Sequence, residues 1–526
     1  MIKKIYCCLK EACGRADTHS LKGKVVFWTT GTVATVWFLV RVVPKPSRAA
    51  YPCMQAAASL MSAFVVYLLA TVGGVASWHW LKKNRAAHNY GGAALCALLL
   101  AGCVSLFWAN SPDTALAKTL RAQAQADVKF SLPANQPVGE AQGIFPGRVV
   151  WSHAPGAATW EEGNGNWFED RFNSPADCDW LINKTLLNLT NTASEKEAWD
   201  ALFTHHNEKH GKTGTYVKGQ KVAVKINQNN TYSHDDSPEI NATPFMVLSL
   251  LTSLVNEAGI PQEDITIAEP SRFITKHLYN TCYNRFPNVN YVDNVGDDGR
   301  QQTEYDMDAL HYSKDNGPLA QGLSTVFTKA DYVINMALLK GHEGQGVTLC
   351  GKCWYGTTSI HHDWRNNHHN NFNQDQNGTP SYLTFVDFMG HKALGEKTIV
   401  YFIDAVFACD KVNGAPTPKW KMEPFNNNWP CSLFGSQDPV AIDMVGIDFL
   451  TSEFPYMRDI NYSDMYLMEA ALADQAPSGT IYDPEGDGIP LKSLGTAEHW
   501  NNPSDKQYSR NLGKEQGIEL LYFRSK

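Results

Sequence analysis

The stretch Gly341–His362, "GHEGQGVTLCGKCWYGTTSIHH", gathers two cysteines, one lysine, three histidines and five glycines. Residues of these types can do three kinds of chemistry. Cys350 and Cys353 have the two-residue separation of thiol–disulfide exchange motifs, and Lys352 between them would lower a thiol pKa by its charge. The same cysteines with His361 and His362, and with His368 and His369 further on, offer thiolate and imidazole donors. That donor set suits a transition metal such as zinc, copper, nickel or iron, although the spacing matches no standard zinc finger. On either reading the two cysteines are expected to be bonded, to each other or to a metal. Finally, Lys340 and His342 are an acid–base candidate pair, and together with Lys352 they make the catalytic set. A structural disulfide, buried thiols or a solvated histidine loop would use the same residues without any chemistry.

These residues need a scaffold, and the chain from about Trp151 onward reads as α/β. "KVAVKIN" (221–227), "DITIAEP" (264–270), "ADYVINMALLKGH" (330–342) and "KTIVYFIDAV" (397–406) are apolar runs of strand length. Between them "ATPFMVLSLLTSLVNEAGI" (242–260) predicts a helix with Pro244 in its first turn and Gly259 as its stop. "SQDPVAIDMVGIDFLTSEF" predicts another, with Asp438 as N-cap and Pro439 at the first position; Asp443 falls on its face. Alternating strands and helices imply a largely parallel sheet flanked by helices on both faces. Ligands of such sheets bind at the carboxyl ends of the strands. Three polar clusters fall there: "NQNNT" after the first strand, "EPSR" after the second, and "KGHEGQG". Lys225, Asn227 and Asn229, with Asn230, can hold a carboxylate or phosphate or orient a sugar, although Asn also favours turns. Asp404, at the end of "TIVYFID", is a third carboxylate candidate. "DNVGDDG" (293–299) and "DPEGDG" (483–488) read as turns; neither continues to the glutamate of an EF-hand loop.

The first fifth of the chain differs in kind. Val25–Val43, Met54–Leu81 and Gly91–Ala109 are each apolar enough and long enough to cross a bilayer. No small-residue cleavage site follows the first of them, so it reads as a span rather than a signal peptide. Lysines and arginines cluster before the first span and in "KKNR" (82–85), between the second and third. The positive-inside rule then places the N-terminus in the cytoplasm. Three crossings put the remainder outside, in the periplasm or beyond the cell, anchored in the inner membrane. The expected organisation is a three-helix membrane anchor over 1–109, a connector over 110–150 and an external α/β domain over 151–526. Residues 1–109 hold twelve Lys and Arg against two Asp and Glu, a net of +10; the chain as a whole is −8, leaving −18 for the rest. An acidic outer part repels phosphate backbones, which excludes nucleic acid as the expected partner. Membrane lipids are the expected partner, with other subunits of a membrane complex as the second class.

The succession "KVAVKIN", "ADYVINMALLKGH", "LCGKCWYG", "FIDAV" and "SQDPVAIDMVGIDFL" resembles the domain of unknown function 362. "RVVPKPSRAAYPC", "PGRVVW", "SLGTAEHWNN" and "KQYSRNLGKEQGIELLYF" resemble a membrane-anchored bacterial branch of it. The resemblance implies the α/β fold and little about activity. Members of that family are sometimes attached to iron–sulfur proteins, but no run of four closely spaced cysteines occurs here, and "CGKC" stands where the family usually has no cysteine pair. A weaker similarity is to nickel-pincer lactate racemases. It implies that Lys352 would carry the cofactor, with His342 and one of His361, His362 and His368 as ligand or acid–base groups. The function expected from all this is a metal-dependent or redox enzyme acting outside the membrane on a small anionic substrate. The competing expectation is a non-catalytic subunit or scaffold of a membrane protein complex.

Overall fold

The computed structural model describes residues 130–314, 322–342, 346–359, 379–454 and 462–526, together with short helical stretches between 32 and 99. The chain divides into two compact units, Met1–Ala126 and Asp127–Lys526. In the first, the longest described run is the helix 76–84. Among the described residues no helix is long and apolar enough to cross a membrane. The spans expected at 25–43, 54–81 and 91–109 lie largely outside the described residues.

The second unit is built on one large sheet. Its strands are β1 (Arg148–His153), β2 (Val222–Lys225), β3 (Ile265–Glu269), β4 (Asn290–Asp293), β5 (Gln301–Gln302), β6 (Tyr332–His342), β7 (Gly346–Thr348), β8 (Thr398–Cys409), β9 (Ser432–Ser436) and β10 (Glu519–Arg524). They lie in the order β10-β1-β9-β8-β6-β2-β3-β4-β5, with β7 folded back on β6 as a hairpin. From β8 through β5 every neighbour is parallel. Beyond β8 the sheet turns antiparallel at β9 and β1, and β10 closes the edge parallel to β1. The architecture is therefore mixed α/β with a mostly parallel sheet flanked by helices.

The central strands are as apolar as their position demands. In β6 every residue but the last is buried, which is how a strand covered on both faces reads. Alternate residues serve opposite faces: Val333, Ala337 and Leu339 join one core, while Ile334, Met336 and Leu338 join the other. Helices α1 (Pro175–Thr190), α2 (Glu195–Lys209), α3 (Pro244–Thr252) and α4 (Lys276–Tyr283) precede the one-turn α5 (Cys350–Cys353), and α6 (Thr384–Gly390), α7 (Pro439–Glu453) and α8 (Met465–Ala471) follow it. α3 starts at Pro244 as expected and runs on as a π-helical turn, Ser253–Glu257, before Gly259 at φ +73°. Asp438 caps α7, accepting the N–H groups of Val440 and Ala441. Neither α3 nor α7 has a polar face, so both are packed in the interior. Part of the stretch expected to be a connector is tied into this unit: the Ser131 and Leu132 amides donate to Asp464, and Val138–Gly139 pair with Thr496–Ala497.

Candidate functional site

The centre of the site is a buried ion pair. Lys225 ends β2 and Glu269 ends β3, and the two strands are parallel neighbours, so their last residues meet at the carboxyl edge of the sheet. Lys225 Nζ donates to Glu269 Oε2 at 3.0 Å, with the two side chains only 1% and 2% exposed. Two charges out of water are held only if their remaining hydrogen-bonding capacity is used. Here it is: Lys225 also donates to the Ile226 carbonyl at 2.6 Å, and Glu269 also accepts from the Gln228 amide at 2.8 Å and the Ser271 hydroxyl at 3.4 Å.

The "CGKC" segment arrives from the far side. Cys350–Cys353 is itself a helical turn, continued by the 3-10 turn Trp354–Thr357. Its first N–H groups, on Cys350 and Gly351, both donate to Asp443 of α7 at 2.8 Å, and the Tyr466 hydroxyl donates to the same carboxylate at 2.9 Å. Despite three donors, burial pushes the Asp443 carboxyl up to about 6. Asn335 of β6 adds a fourth tie, its Nδ2 donating to the Cys350 carbonyl at 3.1 Å. The turn is thus pinned from α7 and β6. It leaves Cys350 against the Phe402 carbonyl and Cys353 against Lys225, Sγ to Nζ 3.8 Å. Both thiols are free. No disulfide joins them, each sulfur being packed against its own polar partner. Burial pushes Cys350 well above the usual thiol range and Cys353 up to about 11, although Lys225 works against the latter. Both are neutral thiols at physiological pH, whereas exchange chemistry needs a thiolate.

Three more cations stand at the same edge. Lys340, fully buried near the end of β6, points Nζ at Asn227 Oδ1 and the Val412 carbonyl, each at 3.5 Å. Burial lowers its ammonium to about 8, with Glu269 and Glu239 pulling the other way. Burial, and then the charges of Lys340 and Arg272, lower Lys352 to about 7. Lys352 also lies 5.5 Å from the centre of the Tyr355 ring, within cation–π range. Arg272 closes the "EPSR" cluster, its Nε donating to the Asn229 carbonyl at 2.8 Å and its Nη1 to the Ser271 carbonyl at 3.1 Å. Asn229 in turn donates its N–H to Asn227 Oδ1 at 3.2 Å, so the "NQNN" loop carries both asparagines into the cluster. Chemically the arrangement could hold an anion, and its amines sit near neutrality: an ammonium held near pH 7 to 8 can give or take a proton.

Of the residues singled out in the sequence, Lys225, Asn227, Asn229, Lys340, Lys352 and Cys353 therefore come together, and Cys350 faces away from them. His342 is the last residue of β6 and half-buried, on the same face as Lys340 by strand alternation. His361 and His362, with His368 and His369, lie outside the described residues. Among the described residues no group of three or more His, Cys, Asp and Glu side chains could hold a metal ion. Asp404 is not a member of the cluster: it accepts the N–H groups of Thr243 and Val406, at 2.8 and 3.1 Å, and so caps the start of α3. The two acidic loops are turns, with Asp293 taking the amides of Val295 and Gly296 and Asp483 those of Asp487 and Gly488. Glu269 and Arg272 were visible only as parts of a polar cluster. The signal that could have singled them out is a charge closing an apolar strand, which burial makes costly unless it is paired.

Residues 222–448 match the family model described as Domain of unknown function (DUF362). The matched region opens on β2 and takes in every member of the cluster, and it supports the family resemblance read from the sequence. No curated protein and no solved structure matches the chain.

Proposed function

We propose that this chain is a membrane-anchored, extracytoplasmic enzyme that binds a small anionic substrate at the carboxyl edge of its sheet and uses lysine amines as acid–base groups. The observation that carries the reading is the burial of Lys225, Lys340 and Lys352 with Arg272 at one edge, where Glu269 pairs with Lys225 and, among the described residues, neither Lys340 nor Arg272 has a carboxylate within ion-pair distance. Water-free cations of this kind need a counter-charge, and a substrate anion supplies it. Lys340 and Lys352, with ammonium pKa values of about 8 and about 7, exchange protons near neutrality, while the ion-paired Lys225 fixes the floor. His342 follows on β6 as the second acid–base candidate.

A metal-assisted form of the same reaction, including the racemase-like one, would draw on His361, His362 and the two cysteines. The Lys225 ammonium, 3.8 Å from the Cys353 sulfur, disfavours a second cation at that atom, so no step is routed through a metal. Elemental analysis of the purified full chain separates the two forms, and stoichiometric metal would reinstate the metal-assisted one.

The anion reading is tested by thermal melting of the full chain in detergent against a panel of small carboxylates and phosphates. A ligand that binds the folded state alone raises the melting temperature. At least one anion of the panel is expected to do so in the wild type and to fail with Lys340→Met. A protein that no small anion stabilises, and that always co-purifies with other membrane proteins, would be a non-catalytic subunit of a membrane complex instead.

A further inference from the structure

Arg272 leaves part of its guanidinium unused. Its guanidinium is held by two neutral carbonyls, Asn229 through Nε and Ser271 through Nη1. Among the described residues Nη2 has no hydrogen-bond partner, and no carboxylate lies within ion-pair distance of the group. The side chain is 8% exposed, and Lys352 is 9% exposed, against 1% for Lys225 and none for Lys340. The two deeper lysines thus form the floor of the cluster, and Arg272 and Lys352 are what a ligand meets first. Gln228 gives a second, independent sign. It is fully buried, its backbone N–H is bonded to Glu269, and both atoms of its side-chain amide lack a partner among the described residues. A buried amide without partners costs about 1–3 kcal/mol, so such groups persist where something else satisfies them. The residue after it, Asn229, is the one whose carbonyl orients Arg272.

We propose that Arg272 is the anchor for the substrate's oxyanion, a carboxylate or a phosphoryl group, which it grips through the Nη edge of its guanidinium with Lys352 as the second cation. The inference rests on the anion reading of the site given above. A planar guanidinium presents two parallel N–H groups along that edge, matching the oxygens of a carboxylate or phosphate. Two backbone carbonyls already fix its orientation, so little side-chain freedom is lost when the anion arrives.

The test is calorimetric titration of the full chain in detergent, at low chloride, with inorganic phosphate and separately with oxalate. The wild type is expected to bind one anion per chain, and the tighter of the two names the chemistry. Arg272→Gln is expected to weaken that binding by roughly tenfold or more, and Arg272→Lys by several-fold, because lysine keeps the charge and loses the fork. Should melting show the glutamine variant unfolded, the lysine variant decides the question by the same titration. Wild-type binding with both variants unchanged would overturn the role of Arg272 and leave the anion site standing. No binding of either anion by the wild type would overturn both.

Discussion

Lys340 and Lys225 are both lysines buried at the end of a strand, yet they carry different chemistry because one has a carboxylate at hydrogen-bond distance and the other does not. Lys340 is held at about 8 by burial. Below that pH it is charged and favours an anion; above it the charge is lost. Lys352, held at about 7, loses its charge first; anion affinity should therefore be highest below pH 7 and fall as pH rises through 7 and then 8, approaching a tenfold loss per unit where one proton is taken up on binding; titrations between pH 6 and 9.5 check this. Lys225 depends on Glu269. Glu269→Gln leaves an ammonium buried without its counter-charge, which typically costs about 3–5 kcal/mol, and should lower the melting temperature strongly. Replacing both partners by methionine should cost less than Glu269→Gln alone.

The elements matter here as holders. α5 is too short to be stable by itself; it is fixed because Asp443, one turn into α7, takes its first two N–H groups and because Asn335 takes hold of its first carbonyl. The 3-10 turn after it must lie directly on the Lys225–Glu269 pair, and Gly356 is what allows this. A Cβ at that position would collide with Glu269 Oε1 and stand 2.8 Å from Lys225 Nζ. Gly356→Ala should cost about 1–3 kcal/mol as an overpacking change and should also weaken anion binding, because the pair it displaces is the floor of the site. Unchanged melting and unchanged binding would show that the turn has room to move away.

For the whole molecule, His499 ties the C-terminal segment to α7 and to the residue before α8. Its Nδ1 lies 2.5 Å from Asp448 of α7 and its Nε2 3.3 Å from Asp464, while Phe130 stacks on its ring at 3.8 Å. Tyr508 adds a hydrogen bond to Asp448 at 2.8 Å. Burial alone would lower the imidazole pKa, but Asp448 and then Asp464 more than offset it and raise it to about 10. The sign follows from a raised folded value: the contribution is complete below pH 6.5 and fades as pH climbs toward about 10. His499→Gln should therefore lower the melting temperature most at pH 6.5, with the gap to wild type shrinking by pH 10. The placement of the chain across the membrane is tested separately. A reporter that fluoresces only in the cytoplasm, fused after Lys526, should stay dark; a bright one rejects the external domain.

What the sequence determined by itself was four strands of the parallel half of this sheet, β2, β3, β6 and β8, while the short β4 and β5 beside them were not read. "KVAVKIN", "DITIAEP", "ADYVINMALLKGH" and "KTIVYFIDAV" are continuous apolar runs because each is buried on both faces, and that leaves a mark in composition alone. Asp438 with Pro439, and Pro244 with Gly259, mark helix ends by local backbone chemistry, which is also legible locally. The far half, Arg148–His153, Ser432–Ser436 and Glu519–Arg524, was not read as sheet strands. These strands pair across hundreds of residues, as in Trp151 with Tyr522. The site divides in the same way. Polar clusters at strand ends announced Lys225, Asn227 and Lys340 as candidates. Only the tertiary structure set Glu269 against Lys225, turned Cys350 away from Cys353 and left Arg272 without a carboxylate, because those pairings depend on which strands lie side by side and on which groups are then shut off from water.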